Sequence, residues 1–172
     1  MEALITIADA RAKTTVSKNL NADTFAAFVA NVQDISLQNL LGSALFYDLE
    51  QNIAEQKYVD LIDGVEYTDL NGQTVYFPGL KPYIIWQFAA DYLIDGRVKH
   101  ADIGSTTVDY TRFIPPNSSG AEMFERTRQN YLARAAHYAN EIKKYLNSST
   151  SKYPLWRGKA ESKLNNFQYN VI

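Results

Sequence analysis

At 172 residues and 19.5 kDa, the chain has the length of one ordinary domain, enough to bury about 70% of its unfolded surface. It has no cysteine, which excludes disulfides, thiol catalysis and zinc–thiolate sites and leaves the compartment open. The net charge of −2 is unevenly spread: residues 1–120 hold 8 Lys/Arg against 15 Asp/Glu, and residues 121–172 hold 9 against 4. That asymmetry suits head-to-tail stacking of copies or an anionic partner, or it cancels within one fold.

In chain order, Leu4–Ile7 (LITI) reads as a short strand. Thr6 or Asp9 then caps a short helix to about Lys13. No apolar run reaches 18 residues, so no membrane span is expected, and MEALITIADAR lacks the features of a secretion signal. Residues 14–21 are polar and β-branched, a loop. Asn21 or Asp23 fits an N-cap, and Phe25, Phe28, Val29, Val32 and Ile35 follow at helical spacing to about Leu41, where Gly42 stops the helix. A second helix begins near Ser43 with Leu45, Phe46, Leu49 and Ile53 on one face. Residues 57–63 add a helical turn before Gly64.

Val65, Tyr67, Val75 and Phe77 alternate on either side of Asp69-Leu70-Asn71-Gly72. Asn-Gly accepts positive φ, so this is a hairpin with a tight turn, closed by Pro78-Gly79. Two strands are marginal alone, so the hairpin needs its own helices or a neighbouring copy to pack on. A helix follows from about Leu80, with Ile84, Ile85, Phe88, Ala89, Tyr92 and Leu93 on one wide face. Trp86 lies off that stripe, facing a second surface.

Residues 96–120 are the main irregular segment, extended over Thr107–Ile114 with Val108, Tyr110 and Arg112 on one side until Pro115-Pro116. A long helix spans about 121–147. On it Phe124, Tyr131, Tyr138 and Tyr145 recur every seven residues beside Leu132, Ala139 and Leu146, with Ala135 and Ile142 completing the face. Buried tyrosine hydroxyls need partners, so this seam suits a partly wet interface better than a dry core. After Pro154 there is no helical stripe. Phe167, Tyr169 and Val171 alternate with polar residues, a strand that pairs within its own domain or adds to a neighbour.

The search for chemistry finds little. His100 and His137 are far apart, and neither has a metal-ligand neighbour at helical spacing. Asp60, Asp63, Glu66 and Asp69 fall every third residue, but Gly64 and the hairpin scatter them, and they lack the ligand order of a calcium loop. No phosphate-binding glycine loop or nucleophile elbow occurs. Arg126, Arg128, Arg134, Lys143 and Lys144 share one helix with the tyrosines and read as a solvated face, with no sequence-specific nucleic-acid binding expected. Neither catalytic residues nor a cofactor or metal site is expected.

In order, QDISLQNLLGSALFYDL, LIDGVEYTDLNGQTVYFPGLKPYIIWQFAADYL, a long helix ending in YLN and then YPLW resemble the head–tail connector (adaptor, or head-completion) proteins of tailed bacteriophages, of the kind found in Bacteroidetes and crAss-like phages. The resemblance covers roughly residues 4–157 and rests on the LLG, DG-x-x-Y, NG, GLK and YPLW blocks. It implies a mainly α fold: a helical bundle with a small β-hairpin at about 65–77, an extended insert at about 104–116 and an extended C-terminal tail. Residues 1–157 would form one adaptor domain, and 158–172 a tail or arm. It further implies a ring, commonly of twelve copies, in the virion neck and made in the host cytoplasm. Its neighbours would be the portal protein, a tail-side connector and DNA passing through the channel, with no enzyme activity, cofactor or membrane. Candidate interface residues are Tyr67, Asn71 and Tyr76 of the hairpin, Tyr110, Arg112 and Phe113 of the insert, Trp156 of YPLW, and Phe167, Tyr169 and Val171 of the tail. Two other readings stand beside it: a small helical ligand-binding domain with a pocket of tyrosines and Trp86, and a host-directed phage interaction protein.

Overall fold

The computed structural model describes residues 2–14, 20–95, 98–101, 104–107 and 120–158. The fold is mainly helical. Its N-terminal helix, α1 (Ile7–Lys13), opens with a capping box: the Thr6 hydroxyl accepts from the Asp9 N–H, and the Asp9 carboxylate accepts from the Thr6 N–H at 2.8 Å. The strand expected at Leu4–Ile7 does not form. Leu4 and Ile5 are buried in a bend instead, and the Leu4 N–H donates to Gln33 Oε1 at 2.8 Å. Among the described residues no strand pairs with it, and the capping requirement of α1 takes Thr6 and Ile7 into the helix start.

Asn21 caps α2 (Ala22–Asn31) by accepting from the Asp23 N–H at 2.6 Å. The helix passes through a π-helical stretch, Val32–Leu37, before α3 (Gln38–Leu41) ends at Gly42. A π turn inserts one extra residue and so rotates the apolar stripe. That rotation corrects one expectation. Ile35 is 55% exposed, and Gln33, Leu37, Leu40 and Leu41 take the inner positions. Gln33 is fully buried because its amide serves the N-terminal backbone, accepting from Leu4 and donating to the Glu2 carbonyl at 3.2 Å.

After α4 (Ser43–Gln51) and α5 (Gln56–Asp63), the chain enters the hairpin β1 (Val65–Thr68) and β2 (Thr74–Phe77), paired antiparallel with Val65 opposite Phe77 and Tyr67 opposite Val75. The entry and exit lie back to back. The Leu80 N–H bonds the Leu61 and Ile62 carbonyls at 3.0 and 3.1 Å. Gly64 (φ 97) and Gly79 (φ 82) permit this approach: a Cβ at Gly64 would sit 2.4 Å from the Phe77 carbonyl oxygen, and one at Gly79 would sit 2.4 Å from that of Ile62.

The long helix α6 (Lys81–Asp95) runs through the core and packs along α7 (Gly120–Ser148). On one side of α6, Phe88 makes an edge contact with Phe25 (centroids 5.0 Å apart), and Tyr92 makes one with Phe28 (5.6 Å). On the other, Trp86 is buried against Tyr131 of α7 at 5.5 Å, so the second surface expected for Trp86 is α7. Between α6 and α7 a second hairpin, β3 (Val98–Ala101) and β4 (Gly104–Thr107), replaces the irregular chain expected there. Its residues carry no apolar alternation to announce it. The expected insert beyond Thr107 and the tail beyond Gly158 lie outside the described residues.

Candidate interaction surface

The hairpin is built with two unlike faces. Val65, Tyr67, Val75 and Phe77 point inward, and Glu66, Thr68, Thr74 and Tyr76 point outward. The inner face is closed by the chain's own helix: the Phe77 ring stacks on Tyr145 of α7 at 4.2 Å and 9°, and Tyr67 meets the same ring edge-on at 5.0 Å. The hairpin therefore completes itself on α7 and needs no neighbour for its inner face. Burial, and then the carboxylate of Glu141, raise the Tyr67 phenol above its ordinary value.

The support beneath is a buried polar knot. Tyr145 and Tyr153 share a hydroxyl hydrogen bond of 3.1 Å, and the Tyr153 hydroxyl donates to the Lys57 carbonyl. The Tyr58 hydroxyl donates to the Asp48 carboxylate, which also pairs with Lys57 at 3.5 Å. Burial, reinforced by Asp48, pushes the Tyr58 phenol up to about 12. Burial likewise raises Tyr153 strongly. Lys152 reaches Asp60 at 2.5 Å, tying the turn after α7 to α5. These bonds give the tyrosines the polar partners that burial demands. The C-terminal end of the seam is thus dry, against the partly wet character expected for the whole of it.

The expected turn forms at Asp69–Gly72, with the positive φ, 79°, on Gly72. The Gly72 N–H bonds the Asp69 carbonyl, and the Asp69 N–H bonds that of Gln73 at 2.8 Å. Asp69 organises this loop, its Oδ1 accepting from the Asn71 and Gln73 N–H groups at 2.9 and 2.8 Å, and those bonds hold its carboxyl below its ordinary value. The effect is to hold Leu70 at the tip, 79% exposed, while Tyr76 stands on the outer face at 62%.

The candidate interface residues therefore divide. Tyr76 and Asn71 are on the surface, and Tyr67 is half-buried against α7. Trp156 sits inside the chain at 7% exposure, its Nε1–H donating to Asn147 Oδ1 at 2.8 Å. A polar partner on α7 is what lets the indole turn inward. Tyr110, Arg112, Phe113, Phe167, Tyr169 and Val171 lie outside the described residues. The reading of the sequence missed Leu70 as a surface feature. Its signal was a large apolar side chain within an otherwise polar turn.

A second feature lies on the opposite stretch of the helix pair. Trp86 and half-buried Tyr138 floor a cavity of about 310 Å³ whose rim is Ala133, Arg134 and His137. The Arg134 guanidinium lies over the Trp86 ring at 4.5 Å, a cation–π contact. Of the other α7 cations, Arg128 pairs with Glu125 at 3.5 Å and Lys144 with Glu141 at 2.8 Å. The four carboxylates at every third position are scattered as expected: Asp60 on Lys152, Asp63 on Lys81 at 2.6 Å, Asp69 in the turn and Glu66 on the outer face. Among the described residues no helix is long and apolar enough to cross a membrane.

A family model described as a family of unknown function (DUF6712) matches residues 37–166, from α3 through the hairpin, α6, α7 and the turn that follows. The chain belongs to this family. The DUF6712 region thus holds both the hairpin and the Trp86 cavity, and α1 and α2 precede it. Comparison with proteins of curated function and with solved structures finds no match.

Proposed function

We propose that the chain is a non-catalytic structural protein of a tailed-phage virion. In this reading it repeats as a ring in the neck, between the capsid portal and a tail-side connector, around the DNA channel. The observation that carries the proposal is the hairpin. Its inner face is braced on α7, and its outer face and tip hold Tyr76 and Leu70 in solvent beside Glu66 and Asp69. Large apolar side chains held outward on a braced element are what a repeating protein contact requires. The order of the sequence blocks, from LLG to YPLW, supports the connector class.

The test is the native mass of the purified protein across a concentration series, alone and with the portal protein of the same phage. Twelve copies of 19.5 kDa give about 234 kDa. A closed ring alone, or one that forms on the portal, supports the reading. A chain that stays monomeric and ignores the portal overturns it. The cavity floored by Trp86 and Tyr138 favours the ligand-binding domain as the second reading, which predicts saturable uptake of a small molecule in the same native spectra.

A further inference from the structure

The two surface features are complementary in shape and charge. The hairpin is a knob: Leu70 projects from its tip and Tyr76 from its outer face, with Glu66 across from Tyr76 and Asp69 in the turn. The α6–α7 cavity is a socket, aromatic on its floor and rimmed by Arg134 and His137. The regions that carry them are charged to match. Residues 20–80 hold one lysine against nine carboxylates, and residues 120–158 hold seven Lys/Arg against three Glu.

The knob cannot fill the socket of its own chain. Tyr76 lies on the face of the hairpin opposite Tyr67 and Phe77, and those two rings are pressed on Tyr145. The socket lies about two to three turns back along the same helix, at Ala133–Tyr138. An outward-pointing knob and a separate socket on one chain define a heterologous contact, in which each copy offers one surface and receives the other.

We propose that the hairpin tip of one copy docks into the Trp86–Arg134 cavity of a second copy. Leu70 and Tyr76 would cover the aromatic floor, and Arg134 would meet Glu66 across the rim. Desolvated charge pairs at such a rim set partner and register, and like charges there repel. The inference rests on the ring reading and names its interface.

A chain without cysteine allows a direct test. Leu70→Cys and Ala133→Cys are both exposed substitutions, one on the knob and one on the rim. The two single variants are mixed at high protein concentration and oxidised. The expected product is a disulfide dimer formed in the mixture at roughly tenfold the yield of either variant alone, since only Cα atoms within about 7 Å can bridge. A chain carrying both substitutions should give a ladder beyond the dimer. Adding Arg134→Glu to the Ala133→Cys chain should cut the mixed yield roughly tenfold, and pairing it with Glu66→Arg on the Leu70→Cys chain should restore it. Yields no higher in the mixture than in the single variants, or a mixed yield indifferent to these charge changes, overturn the proposal. A native ring without the cross-link rejects this interface and keeps the ring. A cross-linked ladder without a closed ring keeps the interface and rejects the ring.

Discussion

Tyr145 and Tyr131 occupy the same heptad position of α7, two heptads apart, and their surroundings are opposite. Tyr145 is 1% exposed, sandwiched by Phe77 and Tyr67 and hydrogen-bonded to Tyr153. Tyr131 is half-buried beside Trp86, and Tyr138, between them, is half-buried at the cavity floor. The helix alone does not produce this difference. The hairpin and the YPLW turn cover one end of α7, and among the described residues α6 is what packs on the other. Periodicity states which side chains share a face. What lies against that face sets how dry it becomes.

The comparison breaks if the two ends of α7 prove equally important to stability. Tyr145→Ala should cost about 3–5 kcal/mol, because it empties a ring-sized space beneath the hairpin and removes one of the two hydrogen bonds of the Tyr153 hydroxyl. Tyr138→Ala should cost about 1 kcal/mol, since the ring is already partly exposed. Urea midpoints of the two variants decide the matter, and equal losses would mean that the cavity end is as tightly packed as the hairpin end.

The mounting of the hairpin gives the next largest effect. Gly79→Ala combines positive φ with a Cβ 2.4 Å from the Ile62 carbonyl oxygen, so the neck of the hairpin must open. The expected cost is about 3 kcal/mol. Gly72 has a similar φ of 79 but open space around it, so Gly72→Ala should cost only about 1 kcal/mol. Equal costs in the same urea experiment would locate the constraint in backbone conformation alone and not in the back-to-back glycines. Tyr153→Phe comes third. It removes a hydroxyl that joins Tyr145 to the Lys57 carbonyl, with an expected loss of about 1 kcal/mol.

Much of this architecture was legible from residue types whose effect is local. Thr6 and Asn21 announce their helix starts because a short polar side chain satisfies a free N–H one turn ahead. Gly42, Gly64 and Gly79 mark their boundaries, since each needs positive φ. The failures share a different cause. Ile35 fits the helical period, and only the π turn, a local geometry without a residue signature, rotates it outward. Leu4–Ile7 is apolar and β-branched, yet among the described residues no strand pairs with it. Gln33 and Trp156 are buried because distant backbone or side-chain groups happen to meet them. Of the interaction surface, Tyr76 was legible from strand alternation. The socket was not, because Trp86, Arg134 and Tyr138 come together only when α6 packs on α7.

The smallest expected effect isolates the tie between the turn after α7 and α5. Asp60 Oδ2 accepts from Lys152 at 2.5 Å, and Oδ1 accepts from Gln56 at 2.6 Å. The Lys152 bond holds the Asp60 carboxyl below its usual value, against an opposing push from burial. A carboxyl depressed in the folded chain stabilises it fully above the unfolded value near 3.9, and the contribution disappears as pH falls through the lower folded value. Lys152→Met should therefore be less stable than the natural chain by about 0.5–1 kcal/mol above pH 5. That gap should narrow as pH falls below about 4 and close once Asp60 is protonated in both. Asp9, Asp48 and Asp69 are also held low by their own partners, so both chains keep a common acid slope and only the difference between them reports on this pair. A gap that persists unchanged at pH 2 would assign the loss to the packing of the lysine stem over Tyr153, which Lys152 approaches at 5.9 Å, and not to the ion pair.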